Sequence, residues 1–255
     1  MKTTTNVLIA LVLLVPGASF AQSGETWHQL PGSAKDIGVG ADGSVWIIGT
    51  NPSGTADNFG AHKWTGEDWL GVEGGGGVRI DVDPSGDPWM VNAKGEIFRR
   101  VKDTWKTLPG SAKDIGVGAD GTVWIIGTNP SGTKDNFGAH KWTGKEWRGV
   151  EGGGVRIDVD PSGNPWMVNA RGEIFRRVKN TWKPVPGSAK DIGIGADGTV
   201  WIIGTNPSGT ADDFGVHKWT GKEWLGVEGG GVQISADKTG KPWMVNAMGN
   251  IFSGR

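Results

Sequence analysis

The chain lacks both cysteine and tyrosine, and each absence excludes a kind of chemistry. Without cysteine it has no disulfide, no thiol nucleophile and no cysteine for lipid attachment. Without tyrosine it cannot use the tyrosine nucleophile of the sialidases. It also lacks an excess of positive charge, with 26 Lys and Arg against 27 Asp and Glu. No basic block marks a nucleic-acid surface, so binding of nucleic acid is not expected.

Glycine and tryptophan are the abundant residues, at 46 and 15 of 255. Each glycine inside a helix costs about 1 kcal/mol relative to alanine, so this content disfavours long helices. Tryptophan supplies large apolar side chains for a core. The composition therefore favours a β-rich domain that is stabilised by packing alone.

The first residues are typical of a secretory signal peptide. Lys2 precedes the apolar run 7–15, and small residues at Ser19 and Ala21 mark a cleavage site after Ala21. The alternative, a membrane anchor, needs about 20 apolar residues, and this run is shorter. We expect residues 1–21 to be removed and 22–255 to be secreted, extracellular or periplasmic.

The remaining sequence is an internal repeat. Trp27, Trp105 and Trp182 begin three near-identical segments at intervals of 78 and 77 residues. Each segment divides into a longer a unit and a shorter, related b unit, giving six units of about 40 residues. Each unit has four short β patterns separated by glycine-rich turns, which is the size of a propeller blade.

The two ends of the repeat indicate a closed ring. The mature chain starts with a fourth-strand pattern at Trp27 and ends with a third-strand pattern at Phe252. The last unit therefore lacks the strand that the first segment supplies. The sequence predicts an all-β fold: a six-bladed β-propeller of four-stranded antiparallel blades, in three tandem double repeats, closed by the N-terminal strand completing the last blade.

The repeated motifs resemble those of the tectonin, or tachylectin-like, β-propeller lectins. The pattern W…PG…I.V…DG.VW at 27–46 carries this resemblance, together with GNPWMVNARGEIFRR at 163–177 and IGTNP…HKWTG at 48–66. The resemblance implies a six-bladed propeller that binds glycans or lipopolysaccharide, including O-methylated sugars, between adjacent blades. It also implies a protein without catalytic activity.

A candidate ligand site lies in the a units, whose long connection at 51–59 recurs at 129–137 and 206–214. Sugar recognition needs planar hydrogen-bonding groups and an aromatic face, and this segment supplies both within eight positions. The candidate residues are Asp57, Asn58, His62 and Trp64, with their copies Asp135, Asn136, His140, Trp142, Asp212, Asp213, His217 and Trp219. The alternative is that Asp and Asn satisfy the loop backbone while His and Trp pack between blades.

Charged residues also alternate at the start of the innermost strands. The equivalent positions hold Asp36, Arg79, Asp114, Arg156, Asp191 and Gln233. We interpret them as paired charges around a central channel, with anion binding by the arginines as the alternative.

No enzyme, cofactor or metal is predicted. The aspartate-rich turns lack the spacing of an EF-hand loop. Catalysis needs an asymmetric set of groups, whereas near-identical repeats offer one weak site several times. The predicted function is multivalent carbohydrate binding, and the alternative is an envelope or extracellular scaffold that mediates protein–protein interaction. The sequence leaves the oligomeric state open.

Overall fold

The computed structural model describes residues 26–209 and 212–255, and within these ranges no helix is present. No helix that could span a membrane is therefore found in this part of the chain. The predicted signal peptide, residues 1–21, lies outside the described residues.

Alternating apolar residues and glycine-rich turns produce short strands throughout. The strands are β1 (Trp27–Leu30), β2 (Ala34–Val39), β3 (Val45–Ser53), β4 (Thr55–Trp64), β5 (Trp69–Gly77), β6 (Arg79–Val82), β7 (Pro88–Val91), β8 (Ile97–Val101), β9 (Thr104–Leu108), β10 (Ala112–Val117), β11 (Val123–Pro130), β12 (Phe137–Trp142), β13 (Trp147–Gly154), β14 (Arg156–Val159), β15 (Pro165–Val168), β16 (Glu173–Val178), β17 (Thr181–Ile194), β18 (Val200–Pro207), β19 (Phe214–Trp219), β20 (Trp224–Gly231), β21 (Gln233–Ala236), β22 (Pro242–Val245) and β23 (Ile251–Gly254).

The strands pair in antiparallel fashion into four-stranded units. Four sheets have the orders β2-β3-β4-β5, β6-β7-β8-β9, β10-β11-β12-β13 and β1-β23-β22-β21. The fifth sheet has seven strands, from β14 to β20, because the long strand β17 pairs with β16 through its first half and with β18 through its second half. All-β architecture and four-stranded antiparallel sheets are thus present as predicted, but five sheets stand where six separate ones were expected.

The first strand lies beside the last. Trp27 is opposite Gly254, and Leu30 is opposite Ile251. Arg255 continues this pairing by donating its backbone N–H to the carbonyl of Thr26 at 3.0 Å. The N-terminal strand therefore supplies the fourth strand of the sheet that contains β21, β22 and β23.

The first a unit differs from its prediction. Residues 51–59 were expected to form a loop, but β3 continues to Ser53 and β4 starts at Thr55, so the connection is a hairpin turning at Gly54. Gly54 has a φ of 74°, a value that glycine adopts without strain. The equivalent strands of the other a units end earlier, at Pro130 and Pro207, and in the second repeat a loop then leads to β12 at Phe137.

The core lies between sheets. In the described residues, six hydrophobic clusters each combine buried side chains from two neighbouring four-stranded units. One of them joins Leu30 and Ile251 of the last sheet to Ile37 and Ile47 of the first. The innermost strands approach closely, because a Cβ on Gly38 would lie 2.7 Å from the Cα of Asp81. The sheets therefore pack face to face, and their inner edges touch.

Candidate functional site

In each a unit, one of the predicted site residues is buried and its side chain links two sheets through a hydrogen bond. The Asn58 side chain donates to Thr55 Oγ1 at 2.7 Å and accepts from the backbone N–H of Ala93 at 2.7 Å. Asn136 and Asp213 accept the same bond from Ala170 and Ala247. These side chains are buried. They hold the connection of an a unit against the short turn of the following b unit.

The preceding position is exposed. Asp57, Asp135 and Asp212 project from the connection into solvent, and Asp135 has a positive φ of 69°. The backbone there is shaped as a turn, which aspartate tolerates better than most residues.

The histidines lie in the middle of the third strand. The Nδ1 atoms of His62, His140 and His217 are 2.9, 2.9 and 3.1 Å from the carbonyl oxygens of Gly60, Gly138 and Gly215. Each ring is half-buried over glycines of the adjacent strands. Burial lowers the pKa of His217, which favours the neutral imidazole.

The tryptophans of this set form ladders between sheets. Trp219 packs on Trp224 with ring centroids 4.8 Å apart and meets Trp166 edge to face at 6.4 Å. The copy formed by Trp142 has the same contacts with Trp147 and Trp89. Trp64 packs on Trp69 at 4.8 Å. Each ladder lies where a b unit is followed by an a unit.

The twelve predicted residues therefore do not form a single site per unit. Asn58 and Trp64 lie near opposite ends of β4, and six residues of extended strand span about 20 Å. That distance exceeds one sugar ring. The structure separates a linking residue at one face of the molecule from a tryptophan at the other.

A cleft of about 590 Å³ opens beside the tryptophan ladder of Trp166, Trp219 and Trp224. We call it the ladder cleft. Its lining includes Trp166, Trp219, Arg176, Asp160, Asp197 and Thr199. The Arg176 guanidinium lies 5.3 Å from the centroid of the Trp166 ring and is held by Asp160 at 3.1 Å. The site thus combines aromatic surface, a partly exposed, ion-paired cation and polar turn residues.

In two ladders, the second-strand tryptophan has a buried indole N–H for which the described part of the chain offers no hydrogen-bond acceptor. The Nε1 atoms of Trp89 and Trp166 are buried and have no hydrogen-bond partner among the described residues. In the a units, the equivalent Nε1 atoms of Trp46, Trp124 and Trp201 donate to backbone carbonyls. A buried N–H without an acceptor costs about 1–3 kcal/mol, so these two donors need an explanation beyond packing.

The copies of the ladder cleft are not identical. Around Trp89, Arg99 is held by Asp83 at 2.8 Å and lies 5.2 Å from the ring centroid, as Arg176 does at its own site. At the third copy, beside Trp243, the arginine position is occupied by Ser253. Two copies therefore carry the cation, and one does not.

Sequence reasoning missed Trp89, Trp166 and their arginines because it treated the tryptophans outside the a-unit connections only as apolar side chains for a core. The burial of both rings, at 2% and 3% exposed, fits that assignment. The arginines that follow the b-unit phenylalanines in the motif EIFRR were the available signal.

The alternating charges form a ring on the innermost strands. Arg79 lies 3.9 Å from Asp36 and 3.4 Å from Asp114, and Arg156 lies 3.2 Å from Asp191. The predicted pairing is therefore present. The aspartates also accept backbone N–H groups from the next sheet, as Asp36 does from Ile80 at 2.8 Å.

Burial has the largest effect on the pKa values of the aspartates in this ring. It raises the pKa of Asp36 to about 6 and that of Asp191 to about 7, although the neighbouring arginines lower both. Burial also raises the pKa values of Asp81 and Asp158, against the backbone N–H groups that they accept. The cavity between the innermost strands is only about 30 Å³, which is room for a water molecule rather than a sugar. In the described part of the chain, no three His, Cys, Asp or Glu residues are grouped to hold a metal ion.

Comparison with solved structures shows the fold. A protein of unknown function from Bacteroides thetaiotaomicron aligns over 92% of this chain and 73% of its own, with a TM-score of 0.59 and 11% identity. YCF48 bound to D1 peptide aligns over 90% and 94% (TM-score 0.55, 14% identity). The WD40 β-propeller domain of Doa1 aligns over 91% and 97% (TM-score 0.56, 12% identity). The architecture is that of a β-propeller.

Sequence comparison is more specific. No match exists among curated proteins. The family profile of the Tectonin domain, however, matches residues 76–166 and 154–255, which together make up more than half of the chain. The matched segments contain the Trp166 ladder, the b-unit arginines and two of the three a units. This chain belongs to the tectonin family.

Proposed function

We propose that the mature chain, residues 22–255, is a secreted, multivalent carbohydrate-binding protein in which six units close into one propeller ring. The pairing of β1 with β23 and the cluster that joins Leu30 to Ile37 support closure. A ring of repeated units presents several similar clefts on one molecule. Linked weak sites of this kind can raise avidity by roughly 10²–10⁴ on a surface that displays many copies of a glycan.

The unpaired indole N–H of Trp166, and that of Trp89, is the observation that carries this proposal. A ligand hydroxyl that enters the ladder cleft, as the exposed Arg176 side chain moves aside, would accept a hydrogen bond from Trp166 Nε1. The half-buried ring of Trp219 would contact the C–H face of the sugar, and Arg176 would donate to a second oxygen. The cleft thus offers the mixture of apolar and directed polar contacts that small-ligand sites require.

Protein–protein interaction remains the alternative, and YCF48, which is similar in fold and is bound to D1 peptide, is a precedent for that class only. The exposed large apolar side chains of the described residues favour carbohydrate. They are Leu70, Val178 and Met248, at 61%, 39% and 67% exposed, and they lie on different units. A protein interface normally has an apolar centre that is depleted in charge, and three scattered side chains do not make one.

A glycan array that includes O-methylated sugars and lipopolysaccharide tests the proposal on the mature protein. The hit is then titrated against the double variant Trp89→Phe and Trp166→Phe, which keeps an aromatic ring but removes the N–H. Loss of one hydrogen bond per site predicts about 3- to 10-fold weaker binding of a monovalent sugar. Trp46→Phe with Trp201→Phe is the matched control, because those N–H groups already have backbone acceptors.

Unchanged sugar affinity in the first double variant would place the site elsewhere. No glycan bound on the array, together with a protein partner captured by the wild type, would favour the interaction class. N-terminal sequencing of protein from the culture medium or periplasm tests secretion, and a start at Gln22 is expected.

A further inference from the structure

A second cleft, of about 570 Å³, lies where an a unit is followed by a b unit, beside β11, β12 and β13. Trp124 forms part of its wall, and we call it the Trp124 cleft. Its charged lining consists of Lys141, Arg148, Arg177 and Glu151, with Asn164 and Asn180 at the rim. Three cations thus face a single carboxylate.

Of the two arginines in this cleft, Arg177 lies against tryptophan rings rather than against a carboxylate. The Arg177 guanidinium lies 5.8 Å from the centroid of Trp124 and 5.5 Å from that of Trp182. In the described part of the chain, no carboxylate forms an ion pair with it. Partial burial lowers the pKa of Arg177, and the more distant Glu151 opposes this effect. The cation is therefore held against aromatic rings with its donors available.

At the equivalent cleft of the first repeat, carboxylates outnumber cations. There Arg100 forms an ion pair with Asp103 at 2.9 Å, while Asp103 is replaced by Asn180 in the second repeat. Asp87 likewise becomes Asn164. At the matched positions of the first repeat, two cations therefore face three carboxylates. They are Lys63, Arg100, Glu73, Asp87 and Asp103.

The remaining difference adds a cation. Arg148 stands where the first repeat has Leu70 and the third has Leu225. In the third repeat, Gly254 also replaces Arg177. Three substitutions between near-identical repeats thus remove two carboxylates and add one guanidinium at a single cleft. Such changes alter electrostatics without altering the strands that position them.

We propose that the Trp124 cleft binds an anionic group (phosphate, sulfate or carboxylate) and that Arg148, Asn164 and Asn180 determine this specificity among the three equivalent clefts. Arg177 and Arg148 present forked donors, which match the oxygens of such groups. Asn180 leaves Arg177 unpaired, and Asn164 removes a repelling charge. This proposal is independent of sugar binding at the ladder cleft.

The test uses inorganic phosphate, glucose 6-phosphate, glucuronate and glucose as probes in calorimetric titrations of the mature protein. One saturable site is expected for at least one anionic probe, with affinity that falls as salt increases. Glucose alone should not bind at this cleft. Tighter binding of glucose 6-phosphate than of phosphate would identify a sugar-borne anion as the ligand, and equal binding would identify the free anion.

The repeats provide variants that the fold already accepts. Arg148→Leu, Asn164→Asp and Asn180→Asp together recreate the first-repeat cleft and should weaken anion binding at least tenfold. The reciprocal set, Leu70→Arg, Asp87→Asn and Asp103→Asn, should raise the stoichiometry from one to two.

Absence of saturable binding to every anionic probe, or unchanged affinity in the first triple variant, would overturn the proposal. The Trp89→Phe and Trp166→Phe variant should bind the anion normally. Failure of sugar recognition at the ladder cleft is therefore distinguishable from failure at the Trp124 cleft.

Discussion

Replacement of Leu30 by alanine tests whether the first strand closes the ring. Leu30 is 8% exposed and packs in a cluster with Val245 and Ile251 of the last sheet. Truncation of a buried leucine to alanine costs about 2–5 kcal/mol, from lost transfer energy and the cavity that remains. For a chain of this size, a cost of about 3 kcal/mol corresponds to a fall of roughly 6–12 °C in the melting temperature.

Urea and thermal unfolding followed by tryptophan fluorescence provide the assay. Leu108→Ala is the matched internal control, because Leu108 ends β9 as Leu30 ends β1 and packs against the cluster that contains Ile97. Leu70→Ala, at a side chain that is 61% exposed, should change stability by no more than about 0.5 kcal/mol. If Leu30→Ala behaves like Leu70→Ala while Leu108→Ala destabilises, the first strand is not docked and the ring is open.

Two further predictions concern buried polar groups. The free energy of unfolding should fall as the pH rises from about 4 through 7, because Asp36 and Asp191 have pKa values of about 6 and 7 when folded and near 3.9 when unfolded. Asp81→Asn should flatten this decline in urea titrations at several pH values, and an unchanged slope would contradict the raised pKa of Asp81. Asn58→Ala should cost about 1–3 kcal/mol in urea unfolding, because the N–H of Ala93 loses its acceptor. Asn58→Asp, the residue type found at the third copy, should be nearly neutral, and equal losses in the two variants would refute the linking role.

Much of the architecture followed from the repeat. Aligning Trp27 with Trp105 and Trp182 was enough to predict the strand order and the place of the N-terminal strand, because each copy repeats the same alternation of apolar residues and turns. The alternation of Asp36 with Arg79 predicted their ion pairing, since buried charges require partners.

The site was harder to predict from the sequence, for reasons of geometry. Asn58 and Trp64 are close in sequence, but an extended strand carries them to opposite faces of the molecule. The role of Asn58 depends on the backbone N–H of Ala93 in another sheet, which no local pattern reveals. Likewise, all second-strand tryptophans look alike in the repeat, and only the packed structure distinguishes Trp166, without an acceptor, from Trp124, which donates to Gly163.

The long strand β17 has a consequence for how the molecule opens. Its first half pairs with β16 and its second half with β18, and the extra pairing of Glu173 with Ser188 keeps the strand unbroken between them. At this junction the backbone N–H of Ala189 donates to the carbonyl of Gly172 in the preceding unit at 2.9 Å, so its exchange with solvent requires the two units to separate. Cooperative units in native-state exchange follow such shared hydrogen bonding. The same bond joins Ala112 to Gly95 and Ala34 to Gly249, also at 2.9 Å. We therefore expect each b unit and the a unit that follows it to loosen together as one unit of local unfolding.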